Sequence, residues 1–250
     1  MSLGTIIRLA VLALLVTFLV TPQSFAWAFA PLTQYGAPPI YNQGNLIDIT
    51  LNHLWITLLA TVASTIIAVG LAIIVTRPFG AEFLSLSRSL ANVGQTFPPV
   101  AVLALAVPVL GFGTEPTLVA LFLYGLLPIF ENALTGLTNV PRSVDDAARG
   151  MGMTGWQRLI EVELPLAFSV ILAGIRIATV ISLSTATIGS TVAAKTLGEV
   201  IIAGLTTNNT AFVLQGGLIV GVLAVLIYDG LAGIEKLLAS RTGLVDRAEA

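Results

Sequence analysis

Long apolar segments constrain the fold of this chain more than any other feature of its sequence. Of its 250 residues, 56% are hydrophobic and only 10% are charged, and the mean hydropathy is +0.96. A soluble domain carries roughly 25% charged residues, so its core could not absorb this excess of apolar side chains. A helix needs about 20 apolar residues to cross a bilayer. The sequence therefore predicts an all-α membrane protein with about six transmembrane helices, near residues 9–29, 54–76, 89–110, 117–137, 166–189 and 211–235.

The first apolar segment fits either a retained membrane helix or a cleavable signal peptide. Arg8 precedes the apolar run, and the small residues of a possible cleavage site lie at 24–26. Hydrophobicity resumes directly after that site, which is unusual for a cleaved segment. We therefore favour a retained helix that is kinked near Pro22 and followed by an external loop over residues 31–52.

Basic residues concentrate on one side of the predicted helices, which indicates their orientation. With the N-terminus inside, the cytoplasmic side receives nine of the eleven Lys and Arg residues, while Arg176 lies within a span and Lys195 outside. Short cytoplasmic loops carry such an excess of positive charge. We expect both termini in the cytoplasm, a first helix and external loop over 1–52, a membrane core over 53–238 and a short cytoplasmic tail over 239–250.

A polar segment, residues 140–165, interrupts the apolar sequence and would lie in the cytoplasm in this orientation. It holds three of the eleven basic residues and four of the thirteen acidic ones. Ser143 with Asp146, and Thr154 with Gln157, have the spacing of a capping box, in which each side chain bonds the backbone N–H of the other residue. Each pair therefore predicts the start of a helix.

Glycines separate these two predicted helix starts. Gly150 and Gly152 favour a bend after the first helix, because glycine readily adopts the left-handed conformation that ends helices. Pro165 can occupy the first turn of the element that follows. The polar segment is thus predicted to form a short helix, a glycine bend and a second short helix that leads into the fifth span.

Two ionisable residues lie within the predicted spans. Arg176 is ten residues beyond Leu166, roughly 15 Å along a helix, and Glu131 is about two turns from the cytoplasmic end of the fourth span. Charges inside a membrane are costly and are usually functional. We hypothesise that Glu131 and Arg176 face the interior of the bundle as an ion pair, which either contacts a transported solute or serves packing alone.

Adjacent prolines interrupt the third span. Pro98 and Pro99 directly follow Gln95, Thr96 and Phe97. Two prolines remove backbone donors and break a helix, which a bilayer tolerates only where protein or a water-filled cavity lies alongside. Discontinuous helices of this kind often form transport sites, although a simple kink fits the sequence equally well.

Hydroxyl side chains are frequent near the end of the fifth span, over residues 182–191. They either let helices pack closely or line a path, and their spacing covers more than one helix face. Together with the charged and proline-flanked positions they give the candidate translocation-path residues: Gln95, Thr96, Pro98, Pro99, Glu131, Arg176, Ser184 and Thr187.

The sequence lacks the usual signatures of catalysis. It has no cysteine and no phosphate-binding loop. Its one histidine, His53, lies at the expected outer edge of the second span, where an interfacial or a helix-start position is the simplest interpretation. We therefore expect a chain that is not an enzyme and holds no metal or cofactor of its own, and a transport component is one of the two classes that remain. The net charge of −2 gives no indication of a nucleic-acid partner. A structural membrane subunit without a path is the remaining alternative.

The polar segment carries a specific pattern. Asp146-Ala147-Ala148 is followed by Gly152 and, after nine further residues, by Val162, with Leu164-Pro165 at the end. This spacing resembles the EAA loop of ABC importer permeases, with Asp in place of Glu and Val in place of Ile. The resemblance implies that the loop docks on a cytoplasmic ATPase, which binds ATP and Mg. The implied coupling residues are Asp145, Asp146, Ala147, Ala148, Gly150, Gly152, Leu164 and Pro165.

Two further stretches, residues 94–113 and 171–205, are similar to the permeases of osmoprotectant importers. That resemblance covers most of the chain from His53 onward and implies a type I ABC importer permease fold in a bacterial inner membrane. The implied partners are two ATPase chains, a second permease chain, either a copy or a paralogue, and an external solute-binding protein. The implied solutes are glycine betaine, choline or related quaternary amines, with an amino acid or another small solute as the alternative.

Overall fold

The computed structural model describes residues 3–241, and every regular element in that range is helical. Its α-helices begin and end as follows: α1 Leu3–Val20, α2 Ala26–Phe29, α3 Leu46–Val75, α4 Leu84–Thr96, α5 Pro99–Leu110, α6 Thr114–Thr138, α7 Arg142–Gly150, α8 Gly155–Arg158, α9 Leu164–Ala186, α10 Gly198–Thr206 and α11 Thr210–Arg241. Residues 242–250, most of the expected tail, lie outside the described range.

Within residues 3–241, four continuous helical segments are long and apolar enough to cross a membrane, and two bent pairs bring the number to six if each pair counts as one span. The predicted second, fourth, fifth and sixth helices are confirmed. They correspond to Leu46–Val75, Thr114–Thr138, Gly155–Val192 and Thr210–Leu237.

The first apolar segment is broken rather than gently kinked. Helix α1 ends at Val20, and the segment Pro22–Leu32 turns away from it by 111°. Pro22 begins a 3-10 helix at the break, because a proline has no N–H with which to continue an α-helix. The predicted interruption near Pro22 is present, with a far larger angle than a kink.

The third apolar segment is also discontinuous. Helix α4 ends at Thr96, α5 begins at Pro99, and the two directions differ by 97°. Of the two alternatives that the adjacent prolines left open, this angle favours a discontinuous helix over a simple kink.

Helix α3 begins at Leu46, well before the predicted start at residue 54. The side-chain oxygen of Asn45 accepts a hydrogen bond from the backbone N–H of Ile47 at 2.8 Å and so caps the N-terminus of α3. The expected external loop over 31–52 is therefore wrong in its last part, which is helical.

The chain forms two compact units, each assembled from separated stretches. Within the described residues, the first comprises 3–60, 98–121 and 180–227. Its main core contains Phe18, Phe29, Tyr41 and Phe212, with aliphatic residues of α10 and α11. The loop before α3 is tied to α11, since Gln215 accepts from the N–H of Tyr41 at 3.1 Å and donates to the carbonyl of Pro39 at 2.7 Å.

Within the described residues, the second unit comprises 61–97, 122–179 and 228–241. Ile129, Phe130 and Leu159 lie in its apolar core. Helices α6 and α9 approach closely there. A Cβ added at Gly174 on α9 would lie only 2.7 Å from the Cβ of Asn132 on α6. Small residues commonly permit such close contacts between membrane helices.

Candidate coupling loop and translocation path

The polar segment forms the predicted helix, bend and helix. Helix α7 occupies Arg142–Gly150, and α8 begins at Gly155. Thr154 caps α8 with a complete capping box, in which its hydroxyl accepts from the Gln157 N–H and the Gln157 side chain accepts from the Thr154 N–H. This predicted box is confirmed.

The capping box predicted at Ser143 is wrong. Helix α7 instead begins directly after Pro141, which occupies the N-cap position without any side-chain bond. The Pro141 carbonyl accepts from the N–H groups of Val144 and Asp145. The proline restricts the backbone, and the helix begins at Arg142, two residues before a cap at Ser143 would place its start.

Gly152 forms the bend between the two helices. Its φ of +79° is in the left-handed region, and the N–H of Met153 donates back to the carbonyl of Ala148 at 3.1 Å. This pattern is the Schellman helix ending, which favours glycine because other residues are strained at this φ. A Cβ at Gly152 would meet nothing within 4 Å, so backbone conformation rather than crowding selects glycine here.

Asp145 links the two short helices. One carboxylate oxygen lies 2.8 Å from Arg149, one turn further along α7, and the other lies 3.4 Å from the Nε of Arg158 at the end of α8. The neighbouring residue Asp146 is exposed, as is Ala147, whereas Ala148 is buried. The loop therefore has an internal electrostatic bridge and a separate exposed acidic position.

Apolar side chains remain exposed on this polar loop. Met151 in the bend is 75% exposed and Trp156 in α8 is 69% exposed. Val144 and Ile160 are also exposed. Large apolar side chains grouped on a surface usually mark a contact with another molecule.

The loop enters the fifth span without a break in the helix. Residues Leu159–Glu163 form a π-helical turn between α8 and α9, and Leu164 and Pro165 are the first two residues of α9. The expected position of Pro165 in a first turn is confirmed.

The expected ion pair between Glu131 and Arg176 is wrong. Glu131 on α6 instead forms two hydrogen bonds with Arg88 on α4, at 2.6 and 3.1 Å. Arg176 on α9 donates to Glu235 on α11 at 3.0 Å. Glu131 and Arg176 thus each pair with a different residue of the second unit. The sequence alone could not assign these partners, because it does not show which distant residues are in contact.

These two ion pairs differ in their surroundings. Arg88 and Glu131 are 51% and 36% exposed along their side chains, so this pair lies on the surface of the unit. The Arg176 guanidinium is mostly buried and also lies 4.5 Å from the centre of the Tyr228 ring, within the range of a cation–π contact. The asymmetry of the basic residues predicts that Arg88 lies on the cytoplasmic side, where water can solvate such an exposed pair.

The residues before the proline break connect α4 to α6. The side chain of Gln95 donates to the carbonyl of Tyr124 at 3.0 Å, and the Tyr124 hydroxyl donates to the carbonyl of Phe97. A Cβ at Gly94 would lie 2.1 Å from the Leu123 carbonyl oxygen, so only glycine allows this approach. Thr96 bonds within its own helix, to the carbonyl of Val93.

The other candidate path residues belong to the first unit. Pro98 is the N-cap of α5 and Pro99 is its first residue. Ser184 is exposed near the end of α9, and its carbonyl accepts from the Thr187 hydroxyl at 2.7 Å, where the helix tightens to a 3-10 form. The translocation roles of all eight candidates stay predictions.

His53 occupies a position that its sequence context did not indicate. It is fully buried rather than interfacial, with Nε2 at 3.1 Å from the Leu183 carbonyl and Nδ1 at 3.3 Å from the Leu197 N–H. The helix-start interpretation is wrong because α3 begins at Leu46, and the side chain packs inside the protein instead of being exposed at its surface. Apolar residues lie on every face of α3, so its sequence carries no helical periodicity that could have placed His53 on an inner face.

An apolar cavity of about 200 Å³ lies in the first unit. Its lining consists of aliphatic and phenylalanine side chains from α1, the segment after it and α11, including Phe18, Phe25 and Phe29. With no charged or hydrogen-bonding side chain in its lining, this cavity does not suit a charged solute.

Comparison with known proteins gives a consistent set of similarities. The model of the family described as "Binding-protein-dependent transport system inner membrane component" matches residues 68–241. The osmoprotectant import permease protein OsmY of Salmonella typhimurium is 38% identical over 80% of this chain and 85% of its own length. The glycine betaine/carnitine/choline transport system permease protein OpuCB of Bacillus subtilis is 38% identical over 78% of this chain and 89% of its own length.

Solved structures share the fold at lower sequence identity. An inward-facing structure of the MetNI methionine ABC transporter matches with a TM-score of 0.68 and 20% identity, over 77% of this chain and 95% of that chain. An amino acid ABC transporter with histidines matches with a TM-score of 0.63 and 20% identity, over 76% of this chain and 92% of that chain. The expected fold class is thereby confirmed.

Proposed function

The chain belongs to the family of binding-protein-dependent transport system inner membrane components, and from this premise we propose that it is the permease subunit of an ATP-driven osmoprotectant importer. The solutes we propose are glycine betaine, choline or related quaternary amines. The observation that carries the proposal is the helix–bend–helix loop of α7 and α8, found in a chain that is similar over most of its length to permeases of this solute class.

In this proposal the loop docks on a cytoplasmic ATPase. Its exposed apolar side chains, Met151 and Trp156, supply a contact that the partner would cover. ATP and Mg bind to that partner, and this chain contributes no catalytic residue or cofactor site. Exposed Asp146 and Ala147 of the EAA-like pattern belong to the same contact.

Rigidity within the loop would allow it to transmit movement. The Asp145 bridge to Arg149 and Arg158 joins α7 to α8, and α8 continues through the π-helical turn into α9. When the ATPases close on ATP, a displacement of the loop would therefore displace the span. Such a change biases the permease between outward and inward access, since a ligand shifts an equilibrium between states that it binds differently.

The proposal includes a second permease chain and an external solute-binding protein. The description of the family as a binding-protein-dependent transport system supports the external solute-binding protein. Gln95, Thr96, Ser184 and Thr187 are polar side chains that we propose line the path. Both termini are proposed to be cytoplasmic in a multi-pass protein of the inner membrane.

Reconstituted transport tests the proposal. The chain would be coexpressed with its ATPase and binding protein, purified as a complex and inserted into liposomes. We expect ATP-dependent uptake of labelled glycine betaine that unlabelled choline reduces and proline does not. Uptake blocked only by an amino acid would contradict the solute assignment, and failure to copurify with any ATPase would contradict the importer itself.

Gly152→Leu tests the role of the loop within the same assay. A bulky side chain on the exposed bend should disturb docking, and we expect uptake to fall by about tenfold or more, with membrane insertion unchanged. Gly36→Leu is the matched control, since Gly36 has a similar φ of +73° and equally open space, but lies in the loop before α3. Unchanged uptake in the Gly152 variant would overturn the coupling assignment.

A further inference from the structure

The end of helix α3 is a tight turn that fixes the backbone of Arg77. The Thr76 hydroxyl donates to the Ile73 carbonyl at 2.8 Å, and the Arg77 N–H donates to the Ile74 carbonyl at 3.1 Å. A Cβ at Gly80 would lie 2.1 Å from the Ile74 carbonyl oxygen, so the chain folds back closely on the helix end. Arg77 therefore projects from a position that α3 determines.

Arg77 forms a two-pronged ion pair with Glu163. Its NH1 donates to one carboxylate oxygen at 3.1 Å, and its NH2 donates to the other. The side chains are only 18% and 11% exposed. Two parallel bonds between a guanidinium and a carboxylate fix direction as well as distance.

This geometry is better suited to holding two elements together than to stabilising the folded state. A buried ion pair gains little net stability, because its attraction is offset by the loss of hydration, whereas removing one partner leaves an uncompensated charge. The pair of Arg77 and Glu163 resists separation while adding little to the folded state. It therefore holds two elements in a fixed relation.

Glu163 lies where the loop becomes the membrane span. It is the last residue of the π-helical turn Leu159–Glu163, and Leu164 begins α9. Single π-helical turns are rare and often occur at functional sites. Leu159, at the start of the same turn, is buried in the core of the second unit. Movement of α8 would therefore reach Glu163 directly.

We propose that Arg77 and Glu163 form a mechanical link that makes the end of α3 move with the coupling loop and α9. This inference rests on the proposed importer function, and it assigns a role to two residues outside the expected coupling set. Both act as positioning residues, since neither is required to touch the solute or the nucleotide. Without the link, ATP hydrolysis would continue while α3 no longer followed the loop.

The experiment measures solute uptake and ATP hydrolysis on the same reconstituted complex. The double variant Arg77→Gln/Glu163→Gln removes both charges and leaves none buried without a partner. We expect it to assemble with the ATPase at the wild-type amount and to hydrolyse ATP at a near wild-type rate. Uptake per ATP hydrolysed should fall by about tenfold.

Charge exchange provides a rescue test, because a role in packing alone would not predict recovery when the two charges are exchanged. Arg77→Glu/Glu163→Arg rebuilds the pair in the opposite direction, and we expect it to restore most of the uptake per ATP. Glu82→Gln is the matched control, because Glu82 is an exposed acid on the turn directly after Gly80. This control should leave the ratio unchanged.

The outcomes separate this inference from the proposed function. Absence of ATP-dependent uptake in the wild-type complex would overturn the importer proposal and the link with it. Normal wild-type transport with an unchanged ratio in the double Gln variant would overturn the link alone. A parallel loss of assembly, hydrolysis and uptake, with no recovery on charge exchange, would show that the pair serves folding and would also overturn it.

Discussion

His53 shows how one polar side chain can join distant parts of a helical unit. It extends from α3 to the carbonyl of Leu183 on α9 and to the N–H of Leu197 before α10. Because the Leu197 N–H can only donate, Nδ1 must accept, and the imidazole proton then resides on Nε2 and bonds the Leu183 carbonyl. A neutral histidine thus satisfies two backbone groups that lack other solvation in a buried site.

Removing this side chain should destabilise the folded permease. His53→Ala leaves the Leu183 carbonyl and the Leu197 N–H without this partner, so we expect a loss of about 2 kcal/mol in the free energy of unfolding. Denaturant unfolding of the purified protein in detergent would measure it. The adjacent exposed residue gives the control Asn52→Ala, which should change stability by less than about 0.5 kcal/mol. Equal midpoints for the two variants would contradict the bridging role.

At the scale of elements, the coupling loop depends on its ends rather than on helix length. Helix α7 has only nine residues, below the roughly 12 at which isolated helices become even marginally stable, and α8 is the first turn of the continuous helical segment Gly155–Val192. Their geometry therefore relies on the Thr154 capping box, the left-handed Gly152 and the Asp145 bridge.

The capping box can be tested without a transport assay. Thr154→Ala removes the acceptor for the Gln157 N–H and should destabilise the start of α8 by about 1 kcal/mol. Hydrogen exchange at the Gln157 amide should accelerate by roughly fivefold, the equivalent of that free energy. Thr154→Ser keeps the hydroxyl and should exchange at the wild-type rate. Unchanged exchange in the Ala variant would show that the cap does not hold this helix.

The role of glycine in helix packing also differs from one element to another. Gly217 and Gly221 on α11 have the spacing of a helix-packing motif, yet a Cβ at either one would meet nothing within 4 Å in this chain. At Gly198 the same addition would lie 1.8 Å from the Thr187 carbonyl oxygen. The spacing of glycines along a helix therefore does not identify which of them mediate close packing.

At the scale of the whole molecule, orientation determines whether the loop can meet an ATPase. The asymmetry of Lys and Arg predicts cytoplasmic termini and a cytoplasmic coupling loop. Since positive charges resist translocation to the outer face, this bias acts during insertion rather than in the folded state. A folded helical bundle alone carries no information about which end faces the cytoplasm.

The absence of cysteine in the sequence makes orientation simple to test. Ser143→Cys places a thiol at an exposed position of α7, and Tyr35→Cys places one at a fully exposed position of the loop before α3. In intact spheroplasts, a membrane-impermeant maleimide should label position 35 directly and position 143 only after permeabilisation. The reverse pattern would place the loop on the outer face and remove the basis for the importer proposal.

Much of the fold and part of the site could be predicted from the sequence. Four spans and the helix–bend–helix loop follow from local signals, namely apolar length, the Thr154 cap and the glycine bend. The cap at Ser143 was wrong because Pro141 begins the helix earlier, and the start of α3 was wrong because the Asn45 cap was not recognised. These errors are local and shift element boundaries by a few residues or a turn or two.

Long-range pairing is what only the tertiary structure decided. The sequence by itself determined a membrane-embedded helical chain with a polar loop. Long apolar segments are stable in lipid, and helix capping acts between residues that are close together in the sequence. It did not determine that Glu131 pairs with Arg88, that Arg176 pairs with Glu235, or that Arg77 holds Glu163. Each charge had several possible partners, and the choice depends on which helix faces meet when the apolar surfaces pack.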